Sequence, residues 1–267
     1  MVTQLTTFNN LHQKVVFFVK KLKLNNLVNK VGRKLALPLT DILSLALFQH
    51  AGQITTKKKL WEHMRPSCSY KTLVVNVNRF FPIAIYILTL ILNYNKQNAH
   101  LVKLIDSTDI AVCSNRKAKY HSVMKEFAHW GKTGKGWFYG LKMHLLTDLN
   151  GKILSIKFTS GNVNDRVVVM DLAKGLDGFF VADAGYHSSK LEYELSHTGK
   201  RVLLAKPLAN MKKVATMLDT YLYAQRMRIE INFKILKQYY GLETSLPRSA
   251  FGYFSNYLYA ILAYIIA

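Results

Sequence analysis

Residues 223–237 read YAQRMRIEINFKILK, and the rest of the chain is best read outward from them. No Pro or Gly interrupts the run, and Leu222, Ile229, Phe233 and Leu236 recur at helical spacing, which predicts one helix. At about 100° per residue these four fall on one face. Tyr223, Arg226, Glu230 and Lys237 fall on an adjoining stripe, within an arc of about 60° by the same rotation. One carboxylate therefore stands at the edge of a buried face with two cations beside it. On an arbitrary helix this is an i,i+4 surface pair between Arg226 and Glu230. Two acidic motifs upstream shift the reading toward chemistry.

The 267 residues are enough for one large domain or two, and half of them are hydrophobic, which allows a sizeable core. The formal charge is +22, from 37 Lys and Arg against 15 Asp and Glu. That excess calls for a polyanionic partner, with nucleic acid first and an anionic membrane surface or a ribosomal role as competitors. Residues 1–100 hold 14 basic and 2 acidic residues (net +12), and residues 101–267 hold 23 and 13 (net +10), so the acids gather in the second part. Cys68 and Cys113 form no CxxC pair, which argues against a disulfide framework or a zinc site and fits a reducing cytosol. The first residues lack the basic-then-apolar order of a signal peptide. The run 83–92 is too short to span a bilayer, and the run 251–267, with Asn256 and several Tyr, reads as a buried terminal helix. The expectation is no membrane partner.

In chain order, residues 1–35 read as basic amphipathic helix, with Leu11, Val15, Phe18, Val19 and Leu22 on one face. Helices are expected at 41–50 after a Thr40 cap, at 55–64, and at 70–80 after a Ser69 cap, with Pro38, Gly52, Pro66 and Pro82 as breaks. Three short helices on a basic surface resemble a helix-turn-helix arrangement, against a plain helical bundle as the alternative. The groove reader would be the third helix, with Lys71, Asn76, Asn78 and Arg79. An apolar helix over 83–94 and a polar linker over 93–100 close an N-terminal helical domain of residues 1–95. Thereafter strands are expected at 101–105, ending in Asp106, and at 137–149 and 153–159, joined by the turn Asn150-Gly151. A helix over 165–174, a strand over 178–182 ending in Asp183, a helix after Ser188 or Ser189 to about His197, and a strand over 201–205 follow. Residues 206–219 read as irregular. The order predicts a mixed α/β sheet flanked by helices over residues 101–267.

Asp106 and Asp183 each follow an apolar strand, where α/β sheets carry their sites. Glu230 lies on a later helix that must pack on that sheet. Three gathered carboxylates repel each other unless cations join them. Mg²⁺, a hard cation that takes carboxylate oxygens, fits that need, and two such ions can serve both the attacking and leaving oxygens of a phosphodiester displacement. Each acid alone could instead be a turn or cap residue.

The spacing Tyr223-x2-Arg226-x3-Glu230-x6-Lys237 resembles the signature of the DDE transposases of bacterial insertion sequences. Ile105-Asp106-Ser107 resembles their first-acid motif, and Ala182-Asp183-Ala184-Gly185-Tyr186 the second. Residues 138–144 and 161–165 are similar to further segments of the group. The resemblance covers about residues 101–264; Gly32-Arg33 and the N-terminal helices are compatible with it. It implies a ribonuclease H-like catalytic domain in which Asp106, Asp183 and Glu230 are catalytic and hold two Mg²⁺, with Mn²⁺ as substitute. It implies DNA contacts by Tyr223, Arg226 and Lys237, to which the expected N-terminal reader adds Lys71 and Arg79, and the 138–144 segment Lys142. Cutting at inverted-repeat ends and joining to target DNA follow from it, by a homo-oligomer on double-stranded DNA in the bacterial cytoplasm, at the nucleoid. Asp109 is the rival to Asp106, Asp165 a cap or orienting residue, and His144 structural. Trp130, Trp137, Phe138 and Tyr139 are mostly core candidates, one of which could stack on a displaced base. Two departures stand out: Ala184 where many members carry a basic residue, and an end at 265–267 without the expected polar tail, as in a shortened copy. A nuclease on the same fold and an inactive copy that only binds DNA remain alternatives at this level.

Overall fold

The computed structural model describes residues 2–28, 34–197, 199–207 and 216–267; Gly32, Arg33 and residues 208–215 of the stretch read as irregular lie outside them. The helices are α1 (Val2–Lys21), α2 (Leu39–Ala51), α3 (Lys57–Met64), α4 (Tyr70–Arg79), α5 (Phe81–Gln97), α6 (Val169–Leu172), α7 (Ser189–Ser196), α8 (Met217–Ala224), α9 (Met227–Gln238) and α10 (Ala250–Ile266). The strands are β1 (Val102–Ala111), β2 (His129–Thr133), β3 (Gly136–Asp148), β4 (Ile153–Ser160), β5 (Gly178–Ala182) and β6 (Arg201–Ala205). The chain forms two compact units, Met1–Leu90 with Ile235–Ala267, and Ile91–Lys234. The first boundary falls within α5, which runs on to Gln97 through much of the expected polar linker, and residues from Ile235 onward group with the N-terminal helices.

In the first unit, Ser69 caps α4 as expected, its Oγ accepting from Thr72 N–H (3.2 Å), and Thr56, expected inside its helix, caps α3 by accepting from Lys59 N–H at Oγ1 (3.0 Å). The expected Thr40 cap is not formed: α2 begins at Leu39 after Pro38, so Thr40 lies inside its first turn. α4 and α5 part at Phe80 with a bend of 43°, and Pro82, read as the break, sits in the first turn of α5, where its missing N–H costs nothing. Leu11, Val15 and Val19 of α1 are buried, as are most residues of α2. Tyr253, Tyr257 and Tyr259 of α10 are fully buried, and the Tyr259 hydroxyl donates to the Val77 carbonyl of α4 at 3.1 Å. The C-terminal apolar run is therefore core helix. Among the described residues no single helix is long and apolar enough to cross a membrane.

The second unit is built on a six-stranded mixed sheet. β3 runs antiparallel to β1, β2 and β4, and β1, β5 and β6 run parallel in that order. A cluster of Ile105, Leu146, Leu154, Phe180, Val169, Leu172, Leu191 and Leu195 packs α6 and α7 against one face. The expected strand bounds hold closely at β3, β4, β5 and β6. β1 departs: it does not end at Asp106 but continues to Ala111, pairing Asp106 with Leu145, Ser107 with His144 and Asp109 with Lys142. Two glycines let backbone approach closely where strands meet. A Cβ on Gly140 would stand 2.0 Å from the Ile110 carbonyl oxygen, and one on Gly161 2.6 Å from that of His129.

Candidate active site

The stretch 223–237 is not one helix. α8 ends at Ala224 and α9 begins at Met227, with i→i−3 bonds through the joint: Arg226 N–H to Tyr223 O (3.2 Å), Arg228 N–H to Gln225 O (3.0 Å) and Ile229 N–H to Arg226 O (3.1 Å). The tight turn needs neither Pro nor Gly, so propensity gave no sign of it. α8 itself starts in the stretch read as irregular, on a capping box: Thr216 Oγ1 accepts from Asp219 N–H (3.1 Å) while Asp219 Oδ2 accepts from Thr216 N–H (3.0 Å). The Tyr223 hydroxyl donates to the Ala205 carbonyl at 3.1 Å, docking α8 at the end of β6.

Arg226, placed at this joint, reaches carboxylates from three different elements. Its Nη2 lies 3.1 Å from Asp106 Oδ2, in mid-β1, and 3.7 Å from Glu230 Oε1, in the first turn of α9. Its Nη1 lies 3.2 Å from Asp183 Oδ1, at the residue that follows β5 and precedes the turn Ala184–Tyr186. Strand alternation explains why Asp106 can do this while Ile105 packs in the opposite core. Asp106 is nearly buried, at 17% side-chain exposure, whereas Asp183 and Glu230 are open to solvent at 49% and 59%. Burial pushes the Asp106 carboxyl up to about 6, against the pull of Arg226 and of the Ser107 N–H that donates to Oδ1 at 2.8 Å. Asp109, three residues on, lies on the other face, beside Lys142.

On that other face a second polar cluster supports β1. Asp165 accepts from Ser107 Oγ (3.0 Å) and from Lys142 Nζ (2.9 Å), and Lys142 also donates to the Val163 carbonyl (3.0 Å). Lys142 is 14% exposed, so its amine is turned into the protein. Asn164, not Asp165, caps the following turn, leaving Asp165 as the orienting residue. His144 is fully buried with Nε2 2.8 Å from Thr159 Oγ1, and burial lowers it to about 4, so its ring is neutral at pH 7. Ser107 and Lys142 are the members of this network whose roles sequence reading missed. The register Ser107–His144 and Asp109–Lys142 was the available signal, visible only once β1 is extended past Asp106.

Of the remaining candidates, Lys237 Nζ pairs with Glu243 Oε1 at 2.7 Å, and it follows Glu230 by two turns on α9. On α4, Lys71 and Arg79 are exposed, with Arg79 over the Phe80 ring, while Asn76 is buried. Of the four hairpin aromatics only Phe138 is buried; Trp130 and Trp137 are exposed and Tyr139 is half-buried. Cys68 and Cys113 are free thiols.

Among the described residues no three His, Cys, Asp or Glu donors are gathered closely enough to hold a metal ion as they stand. The Arg226 guanidinium lies among the three carboxylates, within 3.1–3.7 Å of each, so their oxygens already converge on positive charge. That donor set suits a hard divalent cation, provided the guanidinium gives way.

A mixed α/β sheet that delivers three acids from β1, β5 and α9 to one cation defines an acid-centred site. Residues 96–250, more than half of the chain, match the family model described as a transposase DDE domain, and the chain belongs to that family. Its fold is similar to a piggyBac transposase solved as a synaptic complex with hairpin DNA, with a TM-score of 0.55 and 11% identity over 98% of this chain and 74% of that one. No curated protein matches.

Proposed function

We propose that this protein is a metal-dependent transposase of the insertion-sequence type, which cuts DNA at inverted-repeat ends and joins the freed ends to target DNA. One observation carries the reading: Asp106, Asp183 and Glu230, from three separate elements, converge on the single guanidinium of Arg226. The sheet, with β4, β3, β1, β5 and β6 side by side and β3 antiparallel to β1, supports a ribonuclease H-like catalytic domain. The charge of +22 supports double-stranded DNA as the partner, and the exposed Lys71 and Arg79 of α4 support a helix-turn-helix-like reader in the N-terminal helices. Two ends must be brought together, so the working form is a homo-oligomer on DNA, in the bacterial cytoplasm.

Asp106, Asp183 and Glu230 would hold two Mg²⁺, with Mn²⁺ as a substitute. When bound, such ions supply positive charge to the attacking and leaving oxygens of a phosphodiester displacement. Asp106 is the fixed member, held by the sheet and the Ser107 N–H, while the exposed Asp183 and Glu230 can adjust around a substrate. Arg226, once released from the acids, stands where its fork can take a phosphate in two bonds, with Tyr223 and Lys237 along the same chain segment.

The reading is tested by strand joining. A labelled end oligonucleotide with a free 3′-OH is incubated with plasmid and Mg²⁺. Covalent insertion of the label into plasmid is expected. Cleavage of flanked ends with no joining would make the protein a nuclease on this fold, and end binding with neither reaction would make it a DNA-binding copy without catalysis.

A further inference from the structure

The β2–β3 hairpin has two unlike faces. Phe138 and Gly131 face inward and are buried. Trp130 and Lys132 alternate with them on β2, and Trp137 and Tyr139 on β3, so these four share the opposite face. Register places Trp130 opposite Tyr139 and Lys132 opposite Trp137. The Trp130 and Tyr139 rings meet at 5.6 Å and 61°, and Lys132 Nζ lies 5.7 Å from the Trp137 ring centroid. Trp130 is 44% and Trp137 58% exposed, in spite of the large apolar area each could bury. The segment that leads into the hairpin adds Tyr120, 80% exposed. From residue 112 to 135 the sequence holds Arg116, Lys117, Lys119, Lys125, Lys132 and Lys135 against one acid, Glu126.

Exposed rings interleaved with cations are poorly suited to a second copy of the same patch, which would set like charges against each other. They suit a ligand that offers flat π-faces spaced along a polyanion. We infer that the outward face of the β2–β3 hairpin is a stacking platform for unpaired nucleotides of the DNA, with Trp137 and Trp130 taking bases and Lys132 and Lys135 the adjoining phosphates. The inference rests on DNA being the substrate of the three acids, but it concerns a different set of residues and needs no catalysis.

The test uses the protein's own fluorescence in EDTA, where no metal-dependent step occurs. The chain has three tryptophans, Trp61, Trp130 and Trp137, so Trp61→Phe leaves only the two on the hairpin. The variant is titrated with a single-stranded oligo-dT and with a blunt duplex of equal length. Oligo-dT is expected to quench most of the emission, and the duplex to bind while quenching little. Trp130→Thr with Trp137→Thr, which keeps strand propensity, is expected to weaken oligo-dT binding by roughly 10- to 100-fold in an anisotropy assay, and to change duplex binding by less than about threefold. Lys132→Gln, away from the buried face, should give a smaller loss of the same kind. Equal quenching by both nucleic acids, no quenching, or unchanged oligo-dT affinity in the double variant would overturn the platform. So would concentration-dependent quenching without DNA, which would make the face a contact between copies. Joining activity without quenching removes this inference alone; quenching without joining removes the transposase reading and leaves the platform.

Discussion

Replacing Arg226 by Met removes the guanidinium that lies among three acids and keeps the apolar stem. Two of its partners, Asp183 and Glu230, are about half exposed, so water screens them and their pairing contributes about 0.5 kcal/mol each. Asp106 is different. Breaking a buried pair costs about 3–5 kcal/mol when the stranded charge has no escape. Here protonation is the escape, because burial already holds Asp106 at about 6. That value lies above the ordinary 3.8, so stability belonging to the protonated form is lost as pH rises through about 6. Arg226 limits that loss, so its absence is felt above about pH 6 and fades below it. We expect Arg226→Met to lower stability by roughly 2–3 kcal/mol at about pH 7.5, which is roughly 5–10 °C in Tm, and by under about 1 kcal/mol at about pH 5. The carboxylates are then open to a divalent ion with no guanidinium to displace. Thermal unfolding with and without millimolar Ca²⁺, which binds as a hard cation, reads both effects. The Ca²⁺-induced rise in Tm should be larger in Arg226→Met than in the native chain. An unchanged Tm at about pH 7.5, or a smaller Ca²⁺ shift in the variant, would refute the argument that Arg226 balances the acids.

Three further outcomes follow from particular contacts. His50 is fully buried, its Nδ1–H donates to the Tyr240 carbonyl at 2.7 Å, and burial lowers it to about 4. Its contribution is therefore complete above about pH 6.5 and lost as pH falls toward 4, about 3 kcal/mol in all; urea midpoints across that range should fall less steeply in His50→Gln, though His144 leaves a residual slope of the same sign. Gly140→Ala puts a methyl 2.0 Å from the Ile110 carbonyl oxygen, backbone that cannot yield without breaking the β1–β3 ladder, so this variant should be recovered only as aggregate, and a soluble protein with native circular dichroism would contradict the register. Lys142→Met leaves Asp165 only its Ser107 donor beside buried His144 and should cost about 2 kcal/mol in urea unfolding while leaving duplex affinity within about twofold; a large loss of DNA affinity at native stability would instead make Lys142 a DNA contact.

Several parts of this architecture are readable from local rules. The turn at Asn150-Gly151 lies between strands whose apolar composition sets their extent, and Ser69, Thr56 and Ser188 each mark a helix start by accepting from an N–H three residues on. The motif acids fall on separate elements because each follows, or continues, an apolar strand or helix face. Other parts depend on partners distant in sequence. The run from Ser107 to Asp109 has the composition of a loop, yet it remains strand because Asp165, Lys142 and His144 meet its polar face. β2 is short, with Gly131 at its centre, and it exists by pairing with β3. Lys142 looks like a surface cation in a basic protein until Asp165, 23 residues away, claims it. The break at Gln225-Arg226 has no local marker; the contacts Arg226 makes with Asp106 and Asp183 are what the turn accommodates. Ile235–Ala267 joins the N-terminal helices through contacts such as Tyr259 with Val77, which no local pattern records.

The most direct test of the central claim is Mg²⁺-dependent nicking of labelled DNA that carries the ends flanking the gene, comparing the native chain with Glu230→Gln. The substitution removes one carboxylate charge with almost no change of shape, and Glu230 is exposed enough that the fold should not suffer. The account predicts specific nicking by the native chain, a loss of about a hundredfold or more in the variant, and equal end binding by both. Nicking at native rate by Glu230→Gln, or none by the native chain in Mg²⁺ or Mn²⁺ while it binds the ends, would contradict it.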